Sequence, residues 1–448
     1  MDRQTASVHV ESFPGPRARE RVAQHSRLAA PSTYVYGFVW DTVAEASGPF
    51  VTDVDGNVLL DFTSHVGAAP LGYNNPLVLD RLAEFDLVDP LKIAGQDFYT
   101  AAGDPSAPAY PGPTELMERL VEVTERYGMD TVFLSNSGAE AVENAIKICY
   151  DDTGGTYGVT FQGGFHGRTL GALSLNRSKA VHRRNFPEIP AIHDVPFCRD
   201  RDCTAGTCSC GFFADGRSAL RRMLDPETGW VDPDRVAYVI LEPVQGEGGY
   251  HFPSEAFAEA VAAAVEEHGI RLVADEIQSG LGRTGEFWAS DHYAIEPDVI
   301  AAAKGLRVGA TVAAEDVFPG ERARLSSTWG AGDVVASAAG VATVDAVRED
   351  GLMANAVERG RAFLETVRDA DLPGVVDVRG KGLMLAVEFD TKARRDEVVH
   401  TAAERGLLTL GCGHRTLRVL PPLDVTEREL TMGIDLLVEA AEAVDRAA

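Results

Sequence analysis

The sequence predicts an α/β fold: a mostly parallel sheet covered by helices, with a smaller C-terminal α+β domain. Three observations carry this. Short β-rich runs with no polar interruption, Val236 to Leu241 among them, read as strands buried on both faces. Helical stretches with one apolar face separate several of them, as parallel connections require. The length of 448 residues also exceeds what one ordinary core serves, so two domains are expected. The expected division is an N-terminal segment 1–60 packing with the small domain, a large domain 61–330 and a small C-terminal domain 331–448.

The elements follow in chain order. Phe50 to Val54 and Val58 to Phe62 are strand-like and flank Asp55-Gly56-Asn57, a hairpin turn signal. From Thr114 the texture becomes alternating. Thr114 to Arg126 has helical spacing, Thr131 to Leu134 is β-rich, and Ala139 to Tyr150 is helical again. Gly158 to Phe161, Val236 to Leu241, Arg271 to Ala274 and Asp298 to Ala303 read as buried strands, with a helix over Glu255 to His268. After Trp329 come two long helices, Val334 to Arg348 and Leu352 to Val367. Strand-like Val375 to Arg379 and Leu383 to Phe389 precede a helix over Arg395 to Arg405.

Composition narrows the function classes. There are 68 acidic against 41 basic residues, a net charge of −27, which repels nucleic acid and anionic membrane. No apolar run approaches the roughly 18 residues of a membrane span, and residues 1–30 lack the apolar core of a secretory signal. A cytoplasmic location is the expectation. Only six basic residues are lysine: Lys92, Lys147, Lys179, Lys304, Lys381 and Lys392. An acidic, lysine-poor surface suits a halophilic protein, because concentrated salt screens its self-repulsion.

Cys198, Cys203, Cys208 and Cys210 stand close together. In a reducing compartment such a cluster points to a structural metal before a disulfide. The spacing C-x4-C-x4-C-x-C matches no common zinc pattern, and Gly206 and Gly211 mark a loop. A reduced surface loop is the alternative.

In open α/β sheets the ligand sits beyond the carboxyl ends of the strands, so the residues that follow each strand sample the site. They are Ser135-Asn136-Ser137-Gly138, then Gly163-Gly164-Phe165-His166-Gly167-Arg168, then Glu242, Asp275-Glu276 and Lys304. A lysine desolvated at a strand end has a lowered pKa and can form a Schiff base; alone, Lys304 also reads as a lysine that snorkels out. Asp275 follows three apolar residues, and a buried carboxylate needs a cationic partner such as a protonated pyridine nitrogen, or else serves as a cap or structural ion pair. Ser137-Gly138-Ala139 opens a helix whose free N–H groups suit a phosphate; a plain serine cap with Glu140 fits equally well. No phosphate-binding glycine motif of the nucleotide-binding kinds occurs.

These segments together form a resemblance. The stretch Leu272 to Gly305 (LVADEIQSGLGRTGEFWASDHYAIEPDVIAAAKG) is similar to the cofactor-lysine signature of class III aminotransferases, pyridoxal-phosphate (PLP) enzymes of fold type I of the 4-aminobutyrate, ornithine and lysine kind. SNSGAEAVENAIK, GGFHGRT, LEPVQGEGG and SSTWG match further family blocks in the same order. The resemblance implies that residues 61–330 bind PLP, with Lys304 as the Schiff-base lysine and Asp275 at the pyridinium nitrogen. It further implies Gln278 near the phenolic oxygen, Phe165 on the ring with His166 beside it, and Ser137, Gly138 and Ala139 at the phosphate. Thr328 resembles the threonine that reaches a neighbouring subunit's phosphate, which implies a homodimer with shared sites. On the substrate side Arg168 and Arg418 match carboxylate-binding arginines. Glu242 matches the glutamate that masks the second of them while an ω-amino donor is bound.

The implied reaction moves an amino group from an ω-amino acid to 2-oxoglutarate, giving a semialdehyde and glutamate. Departures exist: SSTWGAGD replaces the usual S-T-[FY]-G-G-N-P, and relatives with similar motifs include amino-acid racemases. The competing readings are therefore a racemase or epimerase with the same cofactor, and a non-catalytic metal-binding protein of the same fold. Residues near Tyr34, Tyr36 and His65 carry no assigned role. The halophilic reading predicts more cooperative thermal unfolding in molar salt than in dilute buffer. Salt-independent melting would contradict it.

Overall fold

The computed structural model describes residues 1–33, 36–83, 101–326 and 333–447. The chain divides into two compact units, Leu77–Met353 and a discontinuous unit that joins Met1–Pro76 to Ala354–Ala448.

Strands are numbered along the chain. In the discontinuous unit β1 (Phe50–Thr52) and β2 (Val58–Asp61) form the expected antiparallel hairpin. Its turn is held by the buried carboxylate of Asp53, which accepts hydrogen bonds from the Asp55 and Asn57 backbone N–H groups at 2.9 Å and from Asn57 Nδ2 at 2.7 Å. Gly56 takes the left-handed conformation, φ 91°, that the tip requires.

In Leu77–Met353 the strands are β3 (Thr131–Ser135), β4 (Tyr157–Phe161), β5 (Ile192–Val195), the short pair β6 (Phe213–Ala214) and β7 (Arg217–Ser218), then β8 (Val236–Leu241), β9 (Arg271–Asp275), β10 (Val299–Ala302) and β11 (Gly309–Ala313). Seven of them make one sheet in the order β3-β11-β10-β9-β8-β4-β5. Neighbours run parallel except around β11, which is antiparallel to both β10 and β3. All six residues of β8 are buried, as its unbroken apolar sequence anticipates. The sequence reading did not place β5 or β11. Strand β11 reads Gly-Ala-Thr-Val-Ala, too small-chained to announce a strand, and it begins on a glycine for steric reasons: a Cβ on Gly309 would fall 2.3 Å from the Ser137 carbonyl oxygen.

Two helices anchor this sheet. Gly138–Thr153 buries Val142, Ile146 and Ile148 against it, each contributing roughly 1.5–3 kcal/mol, and stops at left-handed Gly154. Glu255–His268 begins at Ser254, whose hydroxyl accepts from the Phe257 N–H at 3.2 Å, and stops at left-handed Gly269.

The helix Val334–Glu349 belongs to this unit, so the division falls at residue 353/354 and not at the expected 330/331. It packs at glycine distance: a Cβ on Gly340 would lie 2.8 Å from the Leu306 carbonyl oxygen. Its Asp345 carboxylate is gripped by Arg119 at 2.8 Å and Arg81 at 3.0 Å. At the other end, residues 61–76 join the discontinuous unit instead of the large one. There the Leu420 N–H donates to the Phe62 carbonyl at 2.7 Å, and Tyr73 and Gly48 exchange backbone hydrogen bonds.

The discontinuous unit also contains β12 (Val375–Lys381), β13 (Met384–Phe389), β14 (Leu407–Leu408), β15 (Leu410–Cys412) and β16 (Thr416–Val419). The two strands expected within 375–389 pair with each other and head an antiparallel sheet, β12-β13-β16-β15, while β14 lies parallel to β2. Helices Lys392–Glu404 and Glu427–Ala447 pack against each other. Ser64, His65 and Val66 are three consecutive residues with φ of 43°, 51° and 61°. A left-handed run through a β-branched residue is costly and persists only where the surroundings enforce it. Here the His65 ring stacks on Trp40 at 4.8 Å and its Nε2 lies 2.9 Å from the Tyr73 hydroxyl. Tyr36, Phe38 and Trp40 extend that aromatic ladder, whereas Tyr34 lies outside the described residues.

Gly340→Val should lower unfolding stability by roughly 1–3 kcal/mol or more, because the obstacle is a backbone carbonyl. Denaturant unfolding checks this, and wild-type stability in the variant would contradict the packing described.

Candidate active site

Parallel strands deliver their last residues to one edge of the sheet, and the polar harvest of the sequence is found there. Adjacent strands β9 and β10 are in register with Ala301 opposite Asp275. Asp275 therefore stands at the end of one strand, and Lys304 follows the end of the next. The Lys304 backbone has φ 53°, an unusual conformation for a non-glycine residue, at the point where the chain leaves β10 for a turn of 3₁₀ helix. A cavity of 380 Å³ opens at this edge. Ser137, Gly138, Ala139, Phe165, His166, Asp275, Gln278 and Lys304 line it, as does Glu242. Every cofactor residue expected from the sequence thus borders one cavity, apart from Thr328, which lies outside the described residues.

Asp275 is 3% exposed in a strand of apolar residues. One carboxylate oxygen lies 2.8 Å from His166 Nδ1, and the other accepts from the Ile277 N–H at 3.2 Å. The tautomer that satisfies both groups places the His166 proton on Nδ1, since a lone pair there would face the carboxylate. His166 is itself held by its backbone N–H, which donates to Asn176 Oδ1 at 2.6 Å, while Asn176 Nδ2 donates to the Gly167 carbonyl at 2.7 Å. Sequence reasoning missed Asn176. Its only signal is an amide directly after the apolar helix Leu170–Leu175, which buries it completely.

Glu242, one residue past β8, accepts the Phe165 N–H at 2.9 Å and the Gly246 N–H at 2.8 Å. Burial pushes its carboxyl up to about 7; the neighbouring Asp275 adds to this, while His166 and the two backbone donors oppose it. Glu276, by contrast, accepts from Ser279 at 2.6 Å and from the Ser290 N–H and hydroxyl at 2.8 Å, and it is not among the residues lining the cavity. Its role is structural.

At the opposite wall the helix Gly138–Thr153 presents its N-terminus, and both readings of that segment hold together. Ser137 Oγ accepts from the Glu140 N–H at 3.3 Å, a cap. The Glu140 carboxylate accepts from the Asn136 N–H at 2.8 Å. The first-turn N–H groups of Gly138 and Ala139 have no intrahelical acceptor and border the cavity. A Cβ at 138 would meet Ile277 Cδ1 at 2.8 Å, and one at 167 would meet Ala139 Cβ at the same distance. Gln278 Oε1 is buried at this cavity and has no hydrogen-bond partner among the described residues. A carboxamide so placed awaits a polar group within the cavity, an observation that fits a bound cofactor.

The two arginines expected on the substrate side lie in different units. Arg168 is exposed and lies over the Phe165 ring, 5.5 Å from its centre. Arg418 is buried on β16 of the discontinuous unit, opposite Ala386 and Leu410. Glu247, which sequence reasoning also missed, borders the cavity and pairs with Lys179 at 2.5 Å. Of the four clustered cysteines, the sulfurs of Cys198, Cys203 and Cys210 lie within 4.8 Å of one another, and Cys208 Sγ is 3.2 Å from Cys210 Sγ.

The family model described as aminotransferase class-III matches residues 37–441. The chain belongs to the class-III aminotransferases. An acetylornithine aminotransferase from Archaeoglobus fulgidus is 32% identical, over 88% of this chain and 94% of that protein. A 4-aminobutyrate aminotransferase from Mycobacterium tuberculosis is 32% identical, over 96% of each. Among solved structures, a lysine aminotransferase from M. tuberculosis superimposes with TM-score 0.80 at 26% identity, covering 95% of this chain and 99% of that one. An ornithine aminotransferase from Toxoplasma gondii gives 0.78 at 25% identity, covering 96% of each chain, and another structure of the T. gondii enzyme is described with PLP at its active site. This aminotransferase therefore shares the fold-type I architecture of PLP enzymes, and PLP is the cofactor expected of its family.

Glu242 makes the stability of the cofactor-free aminotransferase pH-dependent. Its folded carboxyl keeps a proton up to about pH 7, against an ordinary value of 4.5. Between these values the folded chain binds more protons than the unfolded one, so stability falls as pH rises through that window. Glu242→Gln should remove the fall, and its stability relative to wild type should climb between pH 5 and pH 8 in unfolding experiments. A difference that is constant with pH would contradict the assignment.

Proposed function

We propose that this aminotransferase moves the amino group of an ω-amino acid, of the 4-aminobutyrate, ornithine or lysine type, to 2-oxoglutarate, giving a semialdehyde and glutamate. The single observation that carries the chemistry is the shared cavity at the ends of β9 and β10, where a lysine, a buried carboxylate and a helix N-terminus meet. The substrate class rests on the relatives, whose names concern acetylornithine, 4-aminobutyrate, ornithine and lysine. A homodimer in the cytoplasm, with Thr328 reaching the neighbouring site, is part of the proposal and rests on the motif alone.

Pyridoxal phosphate, when bound, supplies an electron sink that accepts the charge developing at the substrate carbon as its proton leaves. The work of the chain is to hold and orient. With the cofactor bound, the Lys304 amine would hold it covalently and, when free, would be the base that moves the proton at the reacting carbon. The Asp275 carboxylate keeps the ring nitrogen protonated, and His166 fixes the rotamer in which it can do so. The N–H groups of Gly138 and Ala139 bind phosphate without a basic side chain, so they add no competing amine to the site. Phe165 covers one ring face. Gln278 would offer its carboxamide to the ring oxygen, that partner deciding which end it presents. Arg168 and Arg418 are the carboxylate anchors of the proposal, because a guanidinium pairs with a carboxylate bidentately. Glu242 discriminates donors: as an anion it discourages a second carboxylate, and protonated it tolerates one.

Two outcomes test this. Asp275→Asn should leave PLP binding measurable while transamination falls by several orders of magnitude, since an uncharged amide cannot hold the ring proton; near-normal turnover would remove Asp275 from the site. A donor screen against 2-oxoglutarate should yield glutamate from one or more ω-amino acids, and Glu242→Ala should shift preference toward α-amino donors. Interconversion of D and L amino acids without any keto acid, and no glutamate in the screen, would instead establish the racemase reading.

A further inference from the structure

The cysteine cluster plays no part in the chemistry above. It occupies the connection between β5 and β6, from Cys198 to Cys210, which has no helix or strand of its own. Long irregular connections of this kind need something to order them. Regular hydrogen bonding does not do so here, yet the sulfurs converge. Those of Cys198, Cys203 and Cys210 lie within 4.8 Å of one another. Cys208 Sγ stands 3.2 Å from Cys210 Sγ, and the Cys203 thiol interacts with that of Cys208 as well as that of Cys198. Three sulfurs thus share one small volume with that of Cys208 at its edge beside Cys210, and all six cysteines of the chain are unbridged.

We propose that these four cysteines form a structural zinc site with a tetrathiolate ligand set. At a zinc–sulfur distance of about 2.3 Å, the edge of a tetrahedron is about 3.8 Å; the 3.2 Å between Cys208 and Cys210 and the 4.8 Å limit on the other three lie on either side of it. Only soft-metal chemistry uses four thiolates together; a tetrahedral sulfur set selects zinc or iron–sulfur centres over hard cations. Two of the sulfurs have hydrogen-bond donors beside them. The Phe213 N–H donates to Cys208 Sγ at 3.3 Å, and the Ser254 hydroxyl lies 3.7 Å from Cys198 Sγ while its oxygen accepts from the Phe257 N–H. Such donors to a ligating sulfur are the usual outer layer of a metal–thiolate site. Cys198 and Cys203 are buried and Cys208 and Cys210 partly so, as in a closed site without a water ligand. Zinc binding releases the thiol protons to solvent and changes no oxidation state.

The site has a structural consequence. Its first ligand follows Phe197 and its last precedes Phe212, and both rings pack on Phe257, at 4.9 Å and 4.5 Å. Phe257 also meets Phe161, the last residue of β4, at 5.3 Å. Phe161 leads directly into the Gly163–Gly167 segment that carries Phe165 and His166. The metal would therefore close both ends of the connection onto the first turn of the helix Glu255–His268 and brace the strand that feeds the active site.

The test is zinc analysis of the full-length holoenzyme, purified without chelator or added metal and passed through a chelating resin. About one zinc per chain is expected, released by an organomercurial in step with four thiols. Cys203→Ser and Cys210→Ser should lose the metal, whereas Cys149→Ser and Cys412→Ser should keep it. Should the ligand variants misfold, cobalt(II) exchanged into wild-type enzyme should show the intense long-wavelength bands of a tetrahedral tetrathiolate, well separated from cofactor absorption. Metal removal should also lower the melting temperature. Zinc far below stoichiometry with four freely reactive thiols in the native enzyme would overturn the site, as would a Cys208–Cys210 disulfide in protein never exposed to oxidant. Full zinc retention by both ligand variants would do the same.

Discussion

The structure turns on a charge that apolar sequence alone would not tolerate. Asp275 ends a strand whose preceding residues are Leu272, Val273 and Ala274, and it is almost inaccessible to water. An isolated carboxylate there would cost several kcal/mol, so the fold must supply partners. It does so with His166 on one oxygen and the Ile277 N–H on the other. The remaining capacity faces a cavity that also receives Lys304. The parallel sheet matters because it brings two such strand ends side by side, and the antiparallel β11 matters because it returns the chain immediately behind Lys304.

That single constraint accounts for much of the site. His166 is useful only if its ring cannot turn, and Asn176 anchors its backbone to ensure this. Glu242 borders the same cavity and shares the burden of burial, which is why its carboxyl holds a proton up to about 7. Glycines 138 and 167 let a helix N-terminus and a loop approach the cavity at distances a Cβ would forbid. The phosphate end of the proposed site is therefore backbone, consistent with a chain that has few lysines.

Legibility in the sequence follows from how local each cause is. Unbroken apolar runs reveal β8 and the residue after it, so Glu242, Asp275 and Lys304 could be read directly. The helix N-terminus at Gly138 was readable because capping is a matter of three or four residues. Strand β11 was not, since its small residues are chosen by the close passage of Ser137 and not by any local preference. Asn176 and Glu247 were missed because each acts through a partner outside its own segment, Asn176 by holding the His166–Gly167 loop and Glu247 by pairing with Lys179. The unit boundaries also escaped, because Asp345 ties its helix to Arg81 and Arg119, more than two hundred residues earlier. The cysteines are an intermediate case. Their spacing matches no common pattern, and only the fold brings four sulfurs together.

The central claim is that one lysine, Lys304, bears the cofactor in the cavity bordered by Asp275. Borohydride reduction of the holoenzyme followed by peptide mapping addresses it directly, because the chain has just six lysines. The phosphopyridoxyl mass should be found on the peptide containing Lys304, in near-stoichiometric yield and on no other. A label on Lys92, Lys147, Lys179, Lys381 or Lys392, or none on any lysine of a yellow, active enzyme, would contradict the account.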